Sequence, residues 1–241
     1  FYPRIYDRKL HTTQMLADYF ATYVERDLKR VVNVRDLNSF EKFVRLCAGR
    51  TGQLLNLQSL ASDTGVSHTT ARAWLSALEA SYIVFLLQPM HENISKRLIK
   101  SPKLYFYDVG LAAYLIGIEN ARQVATHPLR GSLFENLVVM EAVKHRLNSG
   151  ATVNFNFFRD SAGNEVDLVV GRGPHMLPLE IKAGETVNDD YFAGLNKFSK
   201  LFPKTAHSGA VIYGGDRLEK RSRFPVYPMA QTSNLLAKNG F

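Results

Sequence analysis

The sequence predicts a protein of mixed α/β (α+β) class, with a helical first half built round a winged helix-turn-helix and a second half in which helices flank a sheet of short strands. Three observations predict it. Between residues 57 and 80, two apolar helical patterns are separated by a tight turn. Between residues 155 and 182, three runs rich in β-forming residues follow one another, the first two separated by a Gly/Asn/Asp cluster. In the intervening stretch, residues 133–143 carry a helical repeat in which one acidic residue lies along an apolar stripe. The loop-rich connection containing Pro128 is the expected boundary, giving domains over residues 1–126 and 127–241.

The first half reads as follows. Residues 13–32 place Met15, Leu16, Tyr19, Tyr23 and Leu28 at helical spacing, with Glu25, Arg26, Asp27, Lys29 and Arg30 mostly outward. A second helix covers about 36–49, with Asp36 as a cap and Gly49 and Gly52 at its end. Leu57 to Asp63 makes a short helix, Thr64-Gly65-Val66 a tight turn, and Ser67 caps a helix running to about Ala80, which is the layout of a helix-turn-helix. Ala71, Trp74, Leu75 and Leu78 fall on the core side of that helix, leaving His68, Thr69, Arg72 and Ser76 outside. Tyr82 to Leu87 reads as a strand, Gln88 to Ser95 as a loop, and Lys96–Lys100 with Lys103–Tyr107 as a returning strand that completes a winged helix.

The candidate nucleic-acid contacts are Lys96, Arg97, Lys100 and Lys103 on the wing and His68 and Arg72 on the helix. Wing cations suit phosphates, which position a protein on DNA without reading its sequence. His68 and Arg72 form a thin set for reading base edges, and winged helices also serve as protein-docking modules. Asp108 to Ile118 is a further helix with Asp108 as its cap, and Glu119 to Arg130 is a loop-rich link.

The second half carries the chemistry. Phe155–Phe158 and Glu165–Val170 are two strands joined by the Asp160–Asn164 turn, and a third strand is expected to follow across Gly171 to His175. Side chains alternate along a strand, so Val166, Leu168 and Val170 share one face while Glu165 and Asp167 share the other. By the same rule Leu177, Leu179 and Ile181 go one way, and Glu180 and Lys182 the other. In the helix before them, the neighbours of Glu135 at i+3, i+4 and i+7 are Val138, Val139 and Ala142. A carboxylate on that stripe loses hydration unless a cation or donors compensate it.

If these faces pack together, Glu135, Asp167 and Glu180 converge with Lys182 beside them. Hard oxygen ligands of this kind suit Mg²⁺ or Mn²⁺. Such an ion polarises a phosphoryl group and lowers the pKa of bound water, with Lys182 orienting the nucleophile or neutralising developing charge. Taken singly, each residue is an ordinary solvated charge, and Glu180 with Lys182 a surface pair worth under about 1 kcal/mol. Beyond the quartet, a turn at Ala183–Thr186 leads to a helix over Tyr191–Leu201, a core strand at Ala210–Tyr213, a Phe224–Pro228 connection and a last helix around Met229–Leu236. Arg217, Lys220, Arg221 and Arg223 crowd one edge, where they could hold a phosphate backbone.

The order of acid on a helix, Asp on the second strand and Glu-x-Lys on the third resembles the PD-(D/E)XK nuclease superfamily, with Glu135, Asp167, Glu180 and Lys182 at the matching positions and Val166 where a proline often precedes the Asp. A second resemblance covers nearly the whole chain. Tyr23-Val24-Glu25-Arg26-Asp27, Gly52-Gln53-Leu54-Leu55-Asn56, Lys96 through Leu111 and Gly131-Ser132-Leu133-Phe134-Glu135-Asn136 resemble the prokaryotic AAA-type ATPases whose C-terminal half is the domain of unknown function 4143. Together these imply a restriction-endonuclease-like three-layer domain with a mixed central sheet, preceded in the full protein by a P-loop ATPase domain. No G-x-x-x-x-G-K-[ST] occurs in these residues, and Gly49-Arg50-Thr51-Gly52 lacks the required lysine, so ATP is expected only through that preceding domain.

Composition bounds the setting. The chain has 241 residues, 46% hydrophobic and 22% charged, as in soluble globular proteins. Its formal charge of +8 and pI near 9.5 favour an anionic partner, nucleic acid first and an acidic protein second. Cys47 is the single cysteine, on an apolar helical run, which rules out an intrachain disulfide and fits a reducing cytoplasm. No H-x-x-x-H spacing supports a histidine zinc site. No apolar run approaches the roughly 20 residues of a membrane span, and there is no secretory signal. A chain that opens at Phe1 is expected to begin partway through a longer protein.

Two function classes fit this reading. One is a divalent-metal phosphodiesterase acting on nucleic acid, DNA before RNA. The other is a binding module that docks the ATPase to DNA or protein, or joins it to its own copies, without hydrolysis.

Overall fold

Helix starts in the first half are set by side-chain caps. A computed structural model describes all residues except 1–6, 8–10, 24–35, 91–99, 207 and 222. Helix α1 spans Thr12–Thr22, and the rest of the helix expected over 13–32 falls largely outside the described residues. Asp36 accepts the Ser39 N–H to start α2 (Leu37–Ala48), Asn56 accepts from Ser59 to start α3 (Leu57–Thr64), and Ser67 accepts from Thr70 to start α4 (His68–Ala80). Each cap satisfies a backbone donor that the helix itself leaves unpaired. Gly65, at φ +83°, ends α3 in the left-handed conformation and closes the tight turn before Ser67. The helix-turn-helix is therefore formed as its sequence implies. Its core is aromatic: the Trp74 ring meets Phe40 and Phe43 edge-on, with centroids 5.2 and 5.5 Å away.

After α4 come strands β1 (Val84–Pro89) and β2 (Lys103–Phe106), then α5 (Val109–Leu115), capped by Asp108. The expected wing differs here. These two strands are not a free-standing wing but the first two members of a seven-stranded sheet ordered β2-β1-β3-β4-β5-β6-β7, in which β1 runs parallel to β3 (Phe155–Arg159). Periodicity identifies strands but not their partners. The link expected to be loop-rich also contains a helix, α6 (Ala121–Thr126), stabilised by a capping box between Asn120 and Gln123.

The sheet is mixed. Helix α7 (Arg130–Asn148) precedes β3, and β3, β4 (Glu165–Arg172) and β5 (His175–Lys182) pair antiparallel. The first turn is held by Asp160, whose carboxylate accepts the N–H groups of Ala162 and Asn164. The second is the two-residue Gly173-Pro174 connection, with Gly173 at φ +56°, which lies inside the Gly171–His175 stretch across which the third strand is expected to follow. After a 3₁₀ turn at Asp189–Phe192, α8 (Ala193–Leu201) leads to β6 (Ala210–Tyr213), which adds parallel to β5. The Phe224–Pro228 connection contains a further strand, β7 (Val226–Pro228), parallel to β6 at the end of the sheet, where prolines are tolerated. Helix α9 (Thr232–Lys238) closes the chain.

Two compact units divide the chain, Phe1–Leu86 with Leu104–Leu133, and Leu87–Lys103 with Phe134–Phe241. The chain thus passes from one to the other at three places, whereas the sequence suggests a single boundary after residue 126. In the second unit, Leu195 and Phe198 of α8 join Phe158, Val166, Val169, Phe202 and Val211 in one apolar core. Central position in the sheet buries β4 from Val166 to Val170, Asp167 on its charged face included. Among the described residues, no helix is long and apolar enough to cross a membrane.

Candidate functional site

Register brings the strand acids together. Leu168 pairs with Leu179 across the antiparallel β4–β5 ladder, which sets Asp167 beside Glu180 one step along. Both are buried, each 7% exposed. Asp167 Oδ2 accepts the Ile181 N–H at 2.8 Å, so this carboxylate is also a structural acceptor within the sheet. Lys182 Nζ lies 2.5 Å from Glu180 Oε1 and 3.9 Å from Asp167 Oδ2. Glu180 Oε2 is buried with no hydrogen-bond partner. It faces α8 at Gly194, where a Cβ would lie 2.9 Å from it and would run into the Glu165 carbonyl.

The electrostatics follow from that crowding. Burial pushes the Glu180 carboxyl up to about 8, the negative charge of Asp167 adds to the effect, and Lys182 works against it. Burial opposes the charge on Lys182, but Asp167 and Glu180 outweigh it and hold this ammonium above its usual range. Lys182 is therefore a fixed positive charge at neutral pH. It can serve as a hydrogen-bond donor and a charge partner there, and not as a base.

Glu135 enters through a residue expected elsewhere. Lys103, read from the sequence as a phosphate contact on an exposed wing, is instead 3% exposed at the start of β2. Its Nζ donates to Glu135 Oε1 at 2.8 Å, is ion-paired with Glu165, lies 3.6 Å from Asp167 Oδ1 and sits over the Phe157 ring, 5.5 Å from its centroid. Burial opposes this charge as well, but Glu135, Asp167 and Glu165 together raise its proton affinity beyond the ordinary lysine value. Glu165 also pairs with Arg159 at 3.1 Å. Glu135, Asp167, Glu180 and Lys182 thus lie in one ion-paired cluster together with Lys103, Glu165 and Arg159. Glu165 was accessible to alternation, since it shares a strand face with Asp167. Lys103 carried no local signal, because its partners lie more than 30 residues away.

Among the described residues, no group of three or more His, Cys, Asp or Glu side chains is arranged to hold a metal ion. Lys103 engages Glu135, so the three expected ligands do not gather round one point. Asp167 and Glu180 are the pair whose donor chemistry fits Mg²⁺ or Mn²⁺. Mg²⁺ commonly takes one or two carboxylates and completes its shell with water and substrate phosphate, and Glu180 Oε2 is a buried oxygen with no hydrogen-bond partner.

The expected nucleic-acid contacts are dispersed. Arg72 is exposed on α4 and His68 half-buried at its first turn, Lys100 is exposed, and Lys96 and Arg97 lie outside the described residues. On the basic edge, Arg221 lies over Phe192 and Arg223 over Phe224, at 5.6 and 5.1 Å from the ring centroids, lining a cavity of about 300 Å³. A cavity of about 460 Å³ lies at the β4–β5 hairpin, lined by Arg172, His175 and Met176, and includes none of the site carboxylates.

Comparison with known proteins places this geometry in context. A family described as a domain of unknown function, DUF8612, matches residues 1–122, just over half of the chain. A second, also described as a domain of unknown function, DUF4143, matches residues 130–232 and is a domain found in C-terminal regions of AAA-type ATPases. Similar proteins include the uncharacterized proteins Rv2008c of Mycobacterium tuberculosis and Mb2031c of Mycobacterium bovis. Each is 32% identical over 168 residues, which are 70% of this chain and 37% of the relative. The matched segment therefore covers well under half the length of these relatives.

Proposed function

Since the chain belongs to the DUF8612 family, and its second half matches a domain found in ATPase C-terminal regions, we propose that it is an accessory region of an AAA-type ATPase that engages nucleic acid and carries a nuclease-like phosphodiester site. The observation that carries this reading is the buried pair Asp167 and Glu180 with the Lys182 ammonium 3.9 Å from an Asp167 oxygen and 2.5 Å from a Glu180 oxygen. In this reading Asp167 and Glu180 hold Mg²⁺ or Mn²⁺, and the ion, when bound, supplies Lewis-acid polarisation of a phosphoryl oxygen and a water of lowered pKa.

The chain's own residues do the rest. Lys182, permanently charged, donates to the phosphoryl oxygens as negative charge develops on them. The Ile181 N–H fixes the Asp167 carboxylate, leaving its other oxygen for the site. Burial of both acids keeps bulk water from screening these interactions. The +8 charge and the arginines at 217, 221 and 223 favour approach of a polyanion. ATP enters only through an ATPase domain outside these residues.

The test is cleavage of linear, nicked and branched DNA with Mn²⁺ or Mg²⁺. Wild type is expected to cut at least one of these, and Asp167→Asn and Lys182→Met to lose about 100-fold or more of that activity. Metal-dependent cleavage that survives in both variants is a contaminant's signature and defeats the reading.

A second reading has its own observation. Lys103 already pairs with Glu135, Glu165 and Asp167, as in a structural cluster, which favours a non-hydrolytic module that docks or oligomerises the ATPase. Salt-sensitive DNA binding without turnover supports its DNA form. Indifference to DNA together with a stable homo-oligomer supports its protein form.

A further inference from the structure

Lys103 is the least accessible charge in the second unit's acidic cluster, and it pairs with three of the cluster's carboxylates. At 3% exposure its side chain is buried, and the groups it is ion-paired with are carboxylates: Glu135 at 2.8 Å, Asp167 at 3.6 Å, and Glu165. The formal charges are telling. With all four carboxyls ionised, as metal binding requires of Glu180, whose raised pKa otherwise keeps its proton near neutral pH, Glu135, Glu165, Asp167 and Glu180 contribute four negative charges, and Lys103, Lys182 and Arg159 contribute three positive ones. A divalent ion added to that set leaves the cluster, whose centre at Lys103, Asp167 and Glu180 is buried, with net positive charge. The same ion in place of Lys103 leaves it neutral. Desolvated charge of one sign is costly, so the two cations compete for the same oxygens.

We infer that Lys103 is a resident counter-cation of this site, closing Glu135, Glu165 and Asp167 around its ammonium, so that a divalent ion enters by displacing it from Asp167. The inference rests on Asp167 and Glu180 being the metal-holding pair. It makes Lys103 a positioning residue that sets metal affinity, and it explains why Glu135 and Asp167 lie in one cluster without forming a three-carboxylate metal site. It also separates the two lysines. Lys182 is a third exposed and lies to the side of Glu180, whereas Lys103 sits where three carboxylates meet.

The experiment is calorimetric titration of Mn²⁺ into the whole 241-residue chain, as wild type and as Lys103→Met, with thermal melts of both at each Mn²⁺ concentration. Lys103→Met is expected to bind Mn²⁺ at least about tenfold more tightly than wild type, the change that about 1.4 kcal/mol makes in an equilibrium constant. Its Tm is expected to fall below wild type without metal and to rise further than wild type's when Mn²⁺ is added. If both proteins bind Mn²⁺ equally, the counter-cation role is wrong while the metal-holding pair stands. If neither binds, the metal-holding pair itself is wrong, and this inference falls with it. Should Lys103→Met fail to fold without metal, the double variant Lys103→Met with Glu165→Gln removes one of the repelling charges. It must show the same gain in Mn²⁺ affinity, and a folded double variant that binds no more tightly than wild type overturns the inference.

Discussion

Replacing Asp167 separates its structural role from its chemical one. Its Oδ2 is the acceptor for the buried Ile181 N–H at 2.8 Å, while Oδ1 faces Lys103 at 3.6 Å. Asp167→Ala removes the acceptor and leaves a buried backbone donor unsatisfied, which costs about 1–3 kcal/mol. Breaking a buried ion pair outright costs about 3–5 kcal/mol. Lys103, however, keeps Glu135 and Glu165, so its charge is not orphaned and that larger cost is not reached. Removing Asp167 also relieves Glu180 of a like charge. Asp167→Asn retains an oxygen for Ile181 and gives the same relief.

The expected order in urea unfolding is wild type and Asp167→Asn within about 1 kcal/mol of each other, with Asp167→Ala lower by about 1–3 kcal/mol. Equal stability of the two variants would refute the assignment of the Ile181 bond. It would also remove the reason for choosing asparagine over alanine when activity is tested.

Other consequences can be checked separately. Burial pushes the Cys47 thiol up to about 12, so it should resist alkylation by iodoacetamide at pH 8 until the protein is unfolded. An unfolded thiol loses its proton near its ordinary value of 9.0 while the folded one keeps it. Stability should therefore fall as pH rises from about 9 towards 12, and Cys47→Ala should lack that part of the decline. Rapid native labelling at pH 8 would contradict the burial. At Gly194 an added methyl would collide with the Glu165 carbonyl and crowd Glu180 Oε2. Gly194→Ala should cost about 1–3 kcal/mol in urea unfolding, despite alanine's better helix propensity, and a stabilised variant would show that α8 does not approach β4 so closely.

Local rules made much of this molecule legible in advance. Asp36, Ser67 and Asp108 cap the helices that their positions suggest, because a cap needs only its own next three residues. Asp167, Glu180 and Lys182 fall together because alternation along two neighbouring strands sets them on matching sides, and the hairpin register preserves it. Partner choice between distant segments was not legible. Nothing near residues 84–106 shows that β1 adds parallel to β3, or that Lys103 turns inward to carboxylates on α7 and β4. A lysine before Leu104-Tyr105-Phe106 has the same local pattern whether it faces phosphate or three carboxylates of its own chain. The Asn120–Gln123 capping box was readable and outweighs the loop-like composition around it. β7 lies between two prolines' worth of turn signal, and only its place at the end of the sheet makes it a strand.

The most direct test of the nuclease-like site is a crystal structure of the protein grown with Mn²⁺ and a short DNA duplex, with anomalous differences collected at the manganese edge. The account predicts a peak bound by oxygens of both Asp167 and Glu180, with a DNA phosphate beside it and Lys182 in contact with that phosphate. Manganese bound at other residues, or DNA bound with no manganese between those two carboxylates, would contradict it.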